Sequence, residues 1–241
     1  MTILVVGASG ATGRLLVQEL LNRGMEVRVV VRSPDRLPES IQGHARLSIT
    51  VAALLDLTDD DLVRLVKGCD AIASCLGHTL SWKGIYGSPR RLVTDATRRL
   101  CEAVKTTAPD KPVRFVLMNT TGNRNRDLDE PISFAQKLVI GLLRLLLPPH
   151  VDNEQAADYL RVVIGQHDPA VEWVAVRPDG LIDEEAATDR ELYPSPIRSA
   201  IFDAGKTSRV NVGHFMADLI AEDVWHEWKG RMPVIYNASS D

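Results

Sequence analysis

Cysteine is scarce here. Cys69, Cys75 and Cys101 are the only three in 241 residues. None sits in a Cys-x-x-Cys pair or at zinc-ligand spacing, which excludes a thiolate metal site and a disulfide framework. With an odd count and no signal peptide at the start, the three are expected as reduced, buried thiols of a cytoplasmic protein. A strong charge of one sign is missing too. The formal net charge is −4, which argues against a general binder of nucleic acid or of anionic membranes. The longest apolar stretch, Leu138 to Leu147, is interrupted by Arg144 and stopped by Pro148-Pro149. It is too short to span a bilayer and reads as a buried or interface helix, fitting a homodimer or other protein contact if it is exposed. Internal repeats, low-complexity tracts and clear linkers are absent, and no metal site is expected.

What is present is an alternation of short apolar runs with helical patterns. A hydrophobic fraction of 45% and a charged fraction of 25% are those of an ordinary globule. The pattern predicts strands at Ile3–Val6, Glu26–Val31, Ala45–Val51, Asp70–Cys75, Pro112–Met118, Val171–Val176, Ser208–Asn211 and Pro233–Tyr236. Helices are expected over Ala11–Arg23, after an N-cap at Thr58, over Arg91–Thr107, over Ser133–Ile164 with a break at Pro148-Pro149, and over Val212–Glu222. The Arg90-Arg91 and Arg98-Arg99 pairs read as a solvated face. His78 to Ser88, with Trp82 and Tyr86, reads as a flexible loop, a candidate pocket wall or a plain surface loop. The fold class is α/β: one doubly wound parallel sheet with helices on both faces, a single domain over 1–241 whose residues from about 178 onward supply a small substrate cap.

The chemistry concentrates at the first turn. Ile3-Leu4-Val5-Val6 runs into Gly7-Ala8-Ser9-Gly10-Ala11-Thr12-Gly13 and then Arg14. Gly7 suits a turn that side chains forbid, Gly10 lets a pyrophosphate approach the main chain, and Gly13 lets the helix pack close to the strand. The free N–H groups and dipole of the helix start attract a phosphate. At the end of the second strand stands Arg32, followed by Ser33, where an NAD binder carries a carboxylate. Arg32, with Arg14, suits the 2′-phosphate of NADP. Asp56, followed by Leu57, is either an adenine-side contact or a turn residue.

Together these residues resemble the atypical short-chain dehydrogenase/reductase superfamily, in particular its single-domain NAD(P)H-binding group of NmrA-like and biliverdin reductase B/flavin reductase type. The resemblance rests on Gly7 to Gly13, Val31-Arg32-Ser33, Asp56-Leu57, Val116 to Gly122 and Val174-Ala175-Val176-Arg177-Pro178. It implies a Rossmann core holding NADP, with the nicotinamide near the ends of the fourth, fifth and sixth strands. The cofactor contacts would then be Gly7, Ser9, Gly10, Ala11, Thr12, Gly13, Arg14, Arg32, Ser33, Asp56, Leu57, Leu76, Gly77, Asn119, Thr120 and Pro178.

The superfamily's Tyr-x-x-x-Lys pair is missing. Its expected positions fall near His150 and Glu154, and Tyr159 is followed four residues later by Val163. A carboxylate at the lysine position acts on a neighbouring proton donor in the opposite sense. Thr120 keeps a hydroxyl at the serine position. Two functions remain. One is an NADPH-dependent oxidoreductase that passes hydride to a small acceptor (quinone-, flavin- or carbonyl-like), with Thr120 and His150, or else His78, as candidate catalytic groups. The other is a non-catalytic NADP-binding redox sensor that contacts a protein partner.

Overall fold

The computed structural model describes residues 1–79 and 81–238, the side chain of residue 83 excepted. The chain opens with β1 (Thr2–Val6), α1 (Ala11–Asn22), β2 (Glu26–Val31), α2 (Glu39–Gln42), β3 (Leu47–Val51), α3 (Asp59–Val66) and β4 (Ala71–Ser74). It continues with α4 (Trp82–Tyr86), α5 (Leu92–Thr107), β5 (Val113–Met118), α6 (Phe134–Leu146), α7 (Pro148–Asp158) and β6 (Val171–Pro178). It closes with β7 (Gly180–Ile182), β8 (Arg190–Tyr193), β9 (Lys206–Ser208), α8 (Arg209–Ala221), α9 (Val224–Trp228) and β10 (Val234–Asn237).

Eight strands form one sheet in the order β3-β2-β1-β4-β5-β6-β10-β8, and β7 pairs with β9 separately. Every pairing in the large sheet is parallel except β10 with β8. The central strands are apolar at successive positions because helices cover both faces. Ile3 and Val5 of β1 face a layer made by Leu16, Val17 and Leu20 of α1 and Phe215, Met216 and Leu219 of α8. Leu4 and Val6 face the opposite layer, Leu62 of α3, Leu100 and Val104 of α5, and Ala156 of α7. Alternate side chains thus build two cores from one strand.

The N-cap at Thr58 forms a full capping box with Asp61. Several boundaries differ from expectation. The stretch from His78 contains the helical turn α4; Leu80 lies outside the described residues. The break expected at Pro148-Pro149 is present: the two prolines open α7, with a 103° bend between α6 and the helix that follows. Proline fits a first helical turn, where its missing N–H has no partner to lose. The strand expected at Ser208–Asn211 ends at Ser208, whose hydroxyl accepts from the Asn211 N–H at 3.1 Å and so starts α8. β7 and β8 carry no sequence pattern strong enough to be foreseen. Beyond Pro178 the chain divides: α8, α9 and β10 enter the main layers, while β7 and β9 form the small sheet. No single described helix is long and apolar enough to cross a membrane.

Candidate functional site

The glycine turn after β1 is a close fit of backbone on backbone. Gly7 has φ +77°, and a Cβ there would stand 2.7 Å from the Leu76 amide nitrogen and nearer still to the Cys75 carbonyl. A Cβ on Gly13 would stand 2.9 Å from the Gly7 carbonyl carbon and overlap its oxygen. Gly10 is the N-cap of α1 with no side-chain cap and no acid in the first turn. The Gly10 N–H donates to the Gly7 carbonyl at 3.0 Å, and the Arg14 N–H to that of Gly10 at 3.0 Å. The N–H groups of Ala11, Thr12 and Gly13 lack intrahelical partners. That uncapped, glycine-cleared cradle suits a pyrophosphate.

In front of it lies a crevice of about 200 Å³, lined by Gly10, Ala11, Thr12, Cys75, Leu76, Gly77, Met118, Asn119 and Asn153. It therefore brings together Gly10 to Thr12, Leu76-Gly77 and Asn119 from three separate strand ends. Asn153 of α7 was not foreseen; its carbonyl accepts from Asn119 Nδ2 at 2.9 Å. Gly7, Ser9 and Gly13 shape the turn without lining the crevice. Pro178 is buried at the end of β6, and its carbonyl accepts from the Thr121 N–H at 3.1 Å. Larger depressions, of about 490 and 670 Å³, lie away from the glycine turn.

Arg14 and Arg32 are both exposed, and among the described residues neither side chain makes an ion pair. Ser33 Oγ donates to Asp35 at 3.1 Å. Asp56 is exposed in a single 3₁₀ turn, and the Leu57 carbonyl accepts from Arg99 at 2.5 Å. Arg99 also reaches the Leu55 carbonyl at 2.9 Å and Asp59 at 2.8 Å. It is therefore the clamp of this turn and not part of a solvated face.

Past the crevice, the polar loop after β5 meets α6 and α7. The space a Cβ would take on Gly122 lies 3.6 Å from both His150 Cε1 and Thr120 Oγ1, so the two catalytic candidates converge there. Thr120 Oγ1 accepts from the Gly122 N–H at 3.2 Å, leaving its own proton free for another acceptor. His150 Nε2 stands 3.4 Å from Glu154 Oε1 but is misaligned for a hydrogen bond. Arg144 holds Glu154 bidentately, at 2.8 and 2.9 Å. Burial alone would raise the Glu154 carboxyl, but His150 and Arg144 against it bring it down to about 2. Gly122, Arg124, Ile132, Lys137, Ile140, Arg144 and Glu154 enclose a second pocket of about 300 Å³. The loop over it is anchored by Arg177, fully buried, whose guanidinium meets Glu130 at 2.8 and 3.1 Å and the carbonyls of Met232, Asn123 and Pro194.

His78, the other histidine candidate, is structural. Its Nε2 meets Asp152 at 2.8 Å and its Nδ1 the Gly84 carbonyl at 3.1 Å. With acceptors at both nitrogens the ring is held as a cation, and the hydrogen bond to Asp152 raises its pKa. Cys75 lines the crevice, but burial pushes its thiol up to about 12, and burial pushes Cys101 up as well. Both are inert at neutral pH. Among the described residues no group of three or more His, Cys, Asp or Glu could hold a metal ion.

A family model described as NAD(P)H-binding matches residues 7–223. An oxidoreductase from Lactococcus lactis shares the fold at a TM-score of 0.69 and 17% identity, over 100% of this chain and 92% of that one. A short-chain dehydrogenase/reductase from Veillonella parvula, solved in complex with NADP, aligns at 0.68 and 17% identity, over 99% of this chain and 95% of that one. Cinnamoyl-CoA reductase 1 from Arabidopsis thaliana is 30% identical over 135 residues, 52% of this chain but only 37% of that protein's length.

Proposed function

The chain belongs to the NAD(P)H-binding family, and we propose that within it the protein is an NADPH-dependent oxidoreductase acting on a small quinone-, flavin- or carbonyl-like acceptor. The observation that carries this reading is the adjacency of two cavities. The crevice on the glycine turn is lined by Asn119 and Asn153, and the second pocket by Gly122 and Glu154, further along the same two segments. A nicotinamide in the first would face an acceptor in the second, and hydride transfer is the chemistry the bound cofactor supplies.

The chain's own residues divide the remaining work. Gly7, Gly10 and Gly13, with the start of α1, hold the pyrophosphate. Arg32 and Arg14, exposed and without ion pairs among the described residues, meet the 2′-phosphate and favour NADPH over NADH. Asn119 positions the nicotinamide side. The Thr120 hydroxyl and the His150 ring flank the space over Gly122, where an acceptor oxygen would sit and take a proton. Glu154 stays ionised and locked to Arg144, so it does not act as acid. The test is NADPH oxidation with a panel of quinones, flavins and aldehydes. Turnover with any of them supports a reductase. Tight NADPH binding with no turnover above background would favour the redox sensor, for which the missing Tyr-Lys pair speaks.

A further inference from the structure

Helix α6 is attached to the body by little. Of its 13 residues only Ile140 is buried, while Lys137, Ile140 and Arg144 line the second pocket. Its other side is apolar and open. Phe134 is 83% exposed, Leu138 68%, Leu142 54% and Leu145 79%. The patch continues onto α4. Tyr86 donates its hydroxyl to the Leu146 carbonyl at 2.9 Å, and Trp82, 83% exposed, stacks on Tyr86 with centroids 5.4 Å apart. So large a contiguous apolar surface marks an interaction site.

The charges around it select the occupant. Residues 71–94 and 131–151, which supply α4, α6 and their flanks, contain no Asp or Glu, although the chain has 32. Arg90, Arg91 and Lys137 are exposed there; Arg144 is exposed too, but its charge is taken up by Glu154. Arg90 sits against α4, donating to the Tyr86 carbonyl at 3.2 Å. Several carboxylates on neighbouring elements are paired: Asp152 with His78, Glu154 with Arg144, Asp129 with Arg124 at 3.5 Å, and Asp203, in the loop that touches Gln136 through Ser199, with Arg198 at 4.0 Å; Asp95, next to the first segment, makes no ion pair among the described residues. A second copy docked two-fold on this face would set cations against cations. A cationic rim around Trp, Phe and Leu on a short helix instead fits a lipid surface of negative charge, with α6 lying in the interface plane.

We propose that the α4–α6 face seats the protein on an anionic bilayer. The net charge of −4 does not oppose this, because the negative charge lies outside the two segments. Docking stands independently of the reductase reading. It would also place the second pocket, directly under α6, at the membrane surface.

The experiment is flotation of the purified full chain with vesicles of zwitterionic lipid alone and with about a third anionic lipid. Tryptophan emission is followed in parallel. Trp173, Trp225 and Trp228 are buried, so Trp82 is the reporter. The expected result is binding at least tenfold stronger to anionic vesicles, weakened by salt, with a blue shift of emission; each cation contributes about fivefold. Leu142→Glu with Leu145→Glu, on the exposed side, should abolish flotation and leave NADPH affinity unchanged. No flotation with either vesicle, or flotation unchanged in the double variant, would overturn the proposal. So would a concentration-dependent dimer that the same variant dissolves without any vesicle binding.

Discussion

Arg144 and Glu154 form a bidentate pair across the α6–α7 bend, at 2.8 and 2.9 Å, on the residue that stands where a lysine would be expected. Glu154 is 7% exposed and Arg144 45%. Replacing Arg144 with Met leaves a buried carboxylate without its guanidinium, which costs about 1–3 kcal/mol. For a domain of this size the melting temperature should fall by roughly 2–12 °C. The folded Glu154 pKa of about 2 lies below its ordinary 4.5. The pair therefore stabilises above about pH 4.5, and this contribution fades as pH falls toward 2. Melting curves at pH 3 and 7 should show a smaller acid loss in Arg144→Met than in the wild type.

The glycine turn gives a sharper contrast. Gly13→Ala drives a methyl into the Gly7 carbonyl, backbone that cannot rotate away. Overpacking of this kind costs about 1–3 kcal/mol, so melting should drop by roughly 2–12 °C and NADPH binding should be lost. Gly43→Ala, with nothing within 4 Å of the added Cβ, should shift melting by less than about 2 °C.

How far these features were legible follows from their range in sequence. Gly7, Gly10 and Gly13 announce their turn because strand, glycines and helix are contiguous. Arg32 is readable because it follows its strand directly. Arg144 reads in sequence only as an interruption of an apolar run; its partner becomes visible only when α6 and α7 bend. Asp152 caps α5, accepting from the Val93 and Thr94 N–H groups at 2.8 and 2.9 Å across nearly sixty residues, and no local pattern signals that. The Arg177–Glu130 pair and the Asn153 contact are equally non-local. β7 and β8 are too short to carry a period, and β9 begins a few residues before the strand expected at Ser208–Asn211.

His78 and Asp152 predict a pH response at the other end of the range. The hydrogen bond to Asp152, helped by the Gly84 carbonyl, raises the His78 pKa above its ordinary 6.5. Its stabilisation is complete below about pH 6.5 and is lost as pH rises through the raised value. Melting temperature should decline as pH rises above about 6.5, and His78→Gln should flatten that decline. Asp152→Ala removes the α5 cap as well and should lower melting at every pH, by roughly 1–8 °C.

The role of His150 separates binding from chemistry. His150→Gln keeps the volume and removes the imidazole. With an acceptor found by the NADPH oxidation panel, kcat should fall about 100-fold while NADPH affinity stays within about twofold. An unchanged kcat would mean that solvent delivers the proton.

The measurement that bears most directly on the central claim is calorimetric titration of the wild type and Arg32→Ala with NADPH and NADH at fixed salt. The wild type should bind NADPH well and NADH weakly. Arg32→Ala should lose about 10- to 100-fold in NADPH affinity, the worth of a charge-assisted bond to the 2′-phosphate, and little for NADH. Equal affinity for both cofactors in the wild type, or equal loss of both in Arg32→Ala, would contradict NADPH preference at this site. Binding of neither would contradict the cofactor site itself.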